Sequence, residues 1–177
     1  MSTLMDRMVR ASKLDARLYE EVETDKGAMG QAMGVVVLSS IAAGIGSVGE
    51  GGLRGILLGA VLALIGWYIW AYLTYLIGTK VLPEPETKSD PGELLRTIGF
   101  SSSPGLIRVL GIIPGLAGIV FVGASVWMLV AMVIAVREAL DYKSTLRAIM
   151  VCAIGWIIQW FILLLLFSLL GNIGRDV

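Results

Sequence analysis

Arg108 stands in GFSSSPGLIRVLGIIPG, residues 99–115, and is the only charged side chain inside a stretch apolar enough to enter a bilayer. A guanidinium keeps its charge and carries five N–H donors, so its chemistry is recognition of anionic or carbonyl oxygens. Its possible partners are outer headgroups, helix carbonyls, Glu50, or an acidic group on another protein. The other polar side chains inside the apolar runs include Gln31, Ser39, Ser40, Thr74, Ser125, Gln159 and Ser168. None stands beside a general base, and the runs contain no Asp, Glu, His or Lys. Intramembrane hydrolysis and a proton relay both lack their carboxylates. With no histidine and a single cysteine, Cys152, zinc and haem sites and an internal disulfide are excluded as well. No catalytic, cofactor or metal residues are expected, and the protein is read as non-enzymatic. The polar side chains of the runs are read as helix-to-helix hydrogen-bonding groups.

The elements that must position these residues are membrane helices. The chain has 177 residues, 56% of them hydrophobic, with a mean hydropathy of +0.83, outside the range of a soluble domain. Uncharged runs at 28–49, 55–79, 109–136 and 148–174 each exceed the roughly 20 residues needed to cross the hydrocarbon. The turn at 47–55, SVGEGGLRG, is short enough to require an antiparallel hairpin. Residues 81–93, VLPEPETKSDPGE, with three prolines, form a polar linker. Net charge is zero, which argues against nucleic acid as a partner.

Whether 94–113 crosses decides between four and five spans, and the placement of Lys and Arg arbitrates. Four crossings leave nine of them on the N-terminal side, with Arg54, Arg137, Lys143 and Arg147 opposite. Five crossings give eleven on the cytoplasmic side against Arg54 and Arg175 outside, a cleaner division. The expected architecture is therefore an all-α, five-helix transmembrane bundle with spans near 28–47, 54–79, 94–113, 115–137 and 146–171. The third span is short and kinked at Pro104, and closes in a turn at Gly111, Pro114 and Gly115. Arg108 then lies within about one turn of the outer interface, where its stem can snorkel. The N-terminus faces the cytoplasm and the C-terminus lies outside.

Ahead of the spans, 1–27 forms a charged cytoplasmic segment. Over 2–19, Leu4, Met5, Met8, Val9, Ala11 and Leu18 fall near one side of a helix, with Asp6, Arg7, Arg10, Lys13 and Arg17 largely opposite. This amphipathic helix either lies on the headgroups or is solvated. Trp67, Tyr68, Trp70, Tyr72 and Tyr75 crowd the second span as an aromatic belt would, helix packing being the alternative. Gly30 with Gly34, Gly55 with Gly59, Gly111 with Gly115, and Ala131 with Ala135 put pairs of small residues on one helix face. They are candidate packing or partner contacts. Arg137, Lys143 and Arg147 flank the loop before the last span as topology or headgroup anchors, and Ser144 or Thr145 can cap the helix that follows.

LDARLYEEVETD before the first span, GFSSSPGLIRVLGIIP in the middle, and VWMLVAMVIAVREALDYKSTLRAIMVCAIGW near the end resemble the Yip family of small multispanning proteins, in its bacterial branch. The likeness runs from about Leu14 to Trp156 and includes the Pro104 span and Trp127 in the fourth span. It implies a five-span bundle with a cytoplasmic N-terminus in a bacterial inner membrane. Eukaryotic members bind prenylated GTPases and shape membranes. This chain lacks their long N-terminal region and Asp-Leu-Tyr-Gly-Pro type of motif; Arg17, Leu18 and Tyr19 stand in a comparable place. The resemblance therefore does not carry GTPase binding over. The expected partners are the lipid bilayer and other membrane subunits or copies of the chain, in a scaffold or accessory role. The alternatives are a lipid-organising or curvature-sensitive protein and, further off, a small-solute channel or transporter.

Overall fold

The computed structural model describes residues 3–47 and 52–173, with side chains through Phe161. Among the described residues every element is helical: α1 Leu4–Ser12, α2 Ala16–Thr24, α3 Met29–Gly46, α4 Gly52–Leu76, α5 Pro91–Ser101, α6 Ala117–Ala139 and α7 Thr145–Ile173. A π-helical turn, Ile77–Val81, prolongs α4, and a 3-10 helix, Ser103–Ile112, prolongs α5. Among the described residues three helices are long and apolar enough to cross a membrane, Lys26–Gly46, Gly52–Val81 and Ala117–Ala139, and Thr145–Phe161 is a shorter apolar helix.

α5 starts with a full set of local signals. Pro91 sits in its first turn, Asp90 accepts from the amides of Gly92 and Glu93, and Glu93 accepts from the amide of Asp90. The α-helix stops at Ser101 because Pro104 has no amide to serve the carbonyl of Phe100. The Ser103 hydroxyl donates to that carbonyl at 2.7 Å, and Ser101 likewise serves Ile98 at 2.7 Å. The backbone continues as a 3-10 helix with its polar groups satisfied.

This segment is the centre of the bundle. From Leu94 to Gly105 nearly every residue is buried, against α3, α4 and α6. The far more apolar α4 buries only Trp70, Ala71 and Thr74. The leucine-rich surface of α4 faces outwards, while Ser39, Thr74, Thr97, Gly99, Ser101 and Ser103 are buried, a distribution that suits a hydrocarbon surrounding.

Two ends can be told apart. At one, the linker after α4 meets the turn between α6 and α7: Tyr142 donates its hydroxyl to the carbonyls of Gly78 and Leu82, at 2.9 and 2.7 Å. Burial pushes that phenol up to about 12. Ser144 accepts from the Arg147 amide and caps α7. At the other end, α3 runs into the 3-10 helix so closely that a Cβ on Gly46 would collide with the Arg108 carbonyl.

The N-terminal segment differs from its expectation in two ways. It is two helices rather than one, because Leu14 adopts φ 62° and Asp15 starts a new helix by accepting from the Arg17 amide. Its apolar side is largely covered by protein, with Met8, Ala11, Leu18, Tyr19 and Val22 packed on Ala28, Ala32, Val35, Phe100 and Ala135, while Met5 and Val9 are exposed. Arg7, placed by periodicity on the solvated side, is buried. It donates to Glu21, Asp25 and Gln31, while Arg10 pairs with Asp15 and Glu21.

Candidate functional site: a cavity between the helices

Between α3, α4, α5, α6 and α7 lies a cavity of about 740 Å³, within the range of small-ligand pockets. Four tryptophans, Trp67, Trp70, Trp156 and Trp160, supply much of its apolar wall. Two are fixed by hydrogen bonds: Trp67 donates to the Leu95 carbonyl at 3.0 Å and Trp70 to the Met132 sulfur at 3.1 Å. The aromatic crowd of α4 is thus divided, with Trp67 and Trp70 turned inwards and Tyr68 and Tyr72 outwards.

The polar part of the wall comes from Ser39, Ser40, Ser101, Ser102, Arg108, Ser125 and Gln159. Ser101 serves its own helix, but Ser39, Ser40, Ser102 and Gln159 have no side-chain hydrogen bond. Among the polar atoms of this wall Arg108 Nε is buried without a partner, and a buried donor of that kind calls for a polar occupant. The cavity is partly open, and its exposed lining residues are Ser125 on α6 with Trp156 and Trp160 on α7.

Arg108 reaches this wall from the 3-10 helix. Nη2 donates to Ser125 Oγ at 3.1 Å, the guanidinium carbon stands 5.7 Å from the Phe121 ring centre, and Nε is buried without a partner. No carboxylate among the described residues pairs with it. Glu50, its expected loop partner, lies outside the described residues.

Residues 19–172 match the family model described as the Yip1 domain. The chain belongs to the Yip1 family. The match extends from α2 into α7, so the cavity lies within the Yip1 domain. No curated protein and no solved structure matches the chain significantly. The domain and its apolar helices mark a membrane protein.

The remaining candidates scatter over the Yip1 domain. Gly111 is tightly packed, since a Cβ there would lie 2.6 Å from the Gly46 carbonyl oxygen and 2.9 Å from Phe121. Gly115 turns the chain at φ +83° in open space, one residue after Pro114. Gly30, Gly34 and Gly55 meet nothing within 4 Å, and Gly59 only the Ser40 hydroxyl at 3.8 Å. Pro104 is buried in the centre, while Ala131 and Ala135 are buried on α6. Trp127 donates to the Ser12 carbonyl at 2.8 Å and ties α6 to the end of α1.

The three basic anchors all have partners within the chain. Arg137 pairs with Glu138, Lys143 with Glu86 at 2.7 Å, and Arg147 with Glu84 at 3.4 Å and with the Pro83 carbonyl at 2.7 Å. Leu18 and Tyr19 are wholly buried. Arg96 escaped the sequence reading. It is buried in α5 and caps the C-terminus of α2 by donating to the carbonyls of Val22, at 2.9 Å, and Glu23. Its only trace in the sequence was a lone arginine in an otherwise apolar helix turn.

Proposed function

We propose that this Yip1-family protein is non-enzymatic and organises lipid, admitting part of a bilayer lipid into the cavity between its helices. The carrying observation is the wall itself: an aromatic and aliphatic surface carrying serine hydroxyls, an amide and a guanidinium whose Nε is buried without a partner, open beside Ser125, Trp156 and Trp160. An amphiphile satisfies both parts at once. Among the described residues the wall offers no carboxylate, histidine or thiol to act as base or nucleophile, which favours holding over chemistry.

The proposed setting is a five-crossing bundle in a bacterial inner membrane with a cytoplasmic N-terminus. Support comes from the Tyr142, Lys143 and Arg147 bonds to residues 78–86, which fit both loops on one side. Length agrees too: eleven residues of α5 and ten of 3-10 helix reach about 35 Å at their respective rises, enough for about 30 Å of hydrocarbon. Single cysteines at Ser89, Ser144 and Asp176 in a Cys152→Ser background test the topology. Only Asp176 should label from outside, and outside labelling at Ser144 overturns it.

The lipid reading is tested with Trp127→Phe, Trp156→Phe and Trp160→Phe combined, which leaves Trp67 and Trp70. Lipids brominated on their acyl chains should quench this inward pair in reconstituted membranes. Unchanged emission refutes entry. The scaffold reading has one observation of its own, the exposed face of α4 formed by Leu57, Leu58, Val61, Leu62 and Ile65. Covered by another subunit rather than lipid, that face would make the chain co-migrate with a partner after gentle extraction.

A further inference from the structure

We infer that the polar end of the cavity is a subsite for the phosphate of a net-anionic phospholipid, bound by Arg108 beside Ser125. This rests on the lipid reading above and adds which lipid is taken. Of the five donors on the guanidinium, one is used, from Nη2 to Ser125 Oγ at 3.1 Å. Ser125 in turn donates to the Phe121 carbonyl at 2.7 Å, so its oxygen is free to accept and aims the guanidinium across the cavity mouth. Nε is sealed from water with no acceptor, and no carboxylate among the described residues neutralises the charge.

A cation with a buried, unmet donor is costly in a bilayer unless an anion joins it. A phosphate offers several oxygens to a planar fork of donors. The geometry departs from a snorkelling anchor, because the side chain turns towards Ser125 and Phe121 of α6 and forms part of the cavity wall. The mouth is on the lipid side, marked by the exposed Ser125, Trp156 and Trp160, so a headgroup can enter while its chains stay in the bilayer or lie along the tryptophans. Charge selects the class. The described lining holds one cation and no acid, so the ammonium of a zwitterionic headgroup would sit beside Arg108 without an anion to receive it.

The experiment uses the full chain carrying the three phenylalanine replacements and intact Trp67 and Trp70. Brominated phosphatidylglycerol and brominated phosphatidylcholine are titrated in mixed micelles, and inorganic phosphate alone is followed by thermal stability. Phosphatidylglycerol should half-quench at about ten-fold lower mole fraction, the worth of one charge-assisted contact. Arg108→Gln should abolish the difference between the two lipids, whereas Arg108→Lys should keep most of the preference. Should Arg108→Gln fail to fold, Ser125→Ala replaces it and should weaken the preference several-fold. Equal quenching by the two lipids, or a preference that survives Arg108→Gln or Ser125→Ala, overturns the subsite while leaving lipid entry standing. Stabilisation by inorganic phosphate equal to that by phosphatidylglycerol overturns it in favour of a soluble phosphate compound. Quenching by neither lipid refutes lipid entry itself.

Discussion

The two ends of the bundle are held by different physics. Where the linker meets the turn between α6 and α7, the joint is made of polar bonds: Tyr142 to two carbonyls, Lys143 to Glu86, Arg147 to Pro83 and Glu84, and Arg96 to the end of α2. Where α3 meets the 3-10 helix, the joint is backbone against backbone at Gly46 and Gly111, and the arginine beside it has no acid among the described residues. Polar bonds can be lost singly and partly replaced by water. A backbone contact has no spare room, so a single methyl group disrupts it. One end should therefore fail steeply and the other in increments.

The largest expected effect is at Gly46. Gly46→Leu should cost more than about 3 kcal/mol, since the new side chain meets the rigid Arg108 carbonyl rather than a flexible tip. Gly111→Leu should follow, being confined by the Gly46 carbonyl and Phe121. Gly115→Ala should lose only about 1 kcal/mol, from its left-handed backbone, because the space there is open. Gly34→Ala should lose nothing and gain up to about 1 kcal/mol, since it is inside α3 with open space around it. Thermal unfolding in detergent ranks the four, and a Gly34 effect as large as that of Gly46 would remove the distinction between the ends.

Arg7 comes next. It is buried and bonded to Glu21, Asp25 and Gln31, so Arg7→Met takes away the donor that Asp25 and Gln31 share beneath the α1–α2 pair, while Glu21 keeps Arg10. A loss of about 1–3 kcal/mol is expected, moderated because the carboxylates are partly exposed. Proteolysis in the turn near Leu14 should accelerate if the pair loosens. Unchanged cleavage and unfolding would mean that packing at Leu18, Tyr19 and Val22 holds the pair by itself.

Residue patterns made the apolar helices and their order legible, since apolar length is a local property, but the linker reading of 81–93 passed over the Asp90 and Pro91 start signal of α5. Family resemblance was legible too, and the Yip1 match bears it out. Glycine spacing was a poorer guide. A four-residue interval says that two glycines share a face but not that the face meets a helix. Gly30, Gly34 and Gly55 meet nothing, while Gly46, Gly105 and Gly78, outside the singled-out pairs, take the closest contacts. Arg7 misled for the opposite reason: periodicity assigns a charge to the wet side unless its partners, fourteen or more residues away, are known. The cavity was invisible because its walls come from five helices.

At the polar end the comparison sharpens through pH. Burial, and then the nearby charges of Asp141, Glu93, Glu138 and Glu20, raises Glu23 to about 7. The folded state thus holds a proton that an unfolded glutamate gives up near about 4.3. The associated stability is complete below that value and disappears as pH rises through about 7. Thermal midpoints should fall between pH 5 and pH 8, and Glu23→Gln should flatten the fall. Asp15 and Asp25 act in the other direction, because Arg10 and Arg7 lower them, so their share is lost only in stronger acid. A wild-type profile that rises from pH 5 to pH 8 would show that the acids at this end do not face one another when the protein folds.

The smallest effect is expected at Lys143. Its ion pair with Glu86 is short, 2.7 Å, yet both side chains are largely exposed, and water screens such a pair while side-chain entropy opposes it. Lys143→Met should leave the unfolding midpoint unchanged and insensitive to salt. Arg147 lies in the same joint but donates to the Pro83 carbonyl and faces the well-covered Glu84, so Arg147→Met should lower the midpoint measurably. Tyr142→Phe should lower it further, because the Gly78 and Leu82 carbonyls lose a buried donor together. That order, Tyr142 above Arg147 above Lys143, follows burial rather than charge. The reverse order would mean that long-range attraction between the loops, and not the buried hydroxyl, closes this end of the bundle.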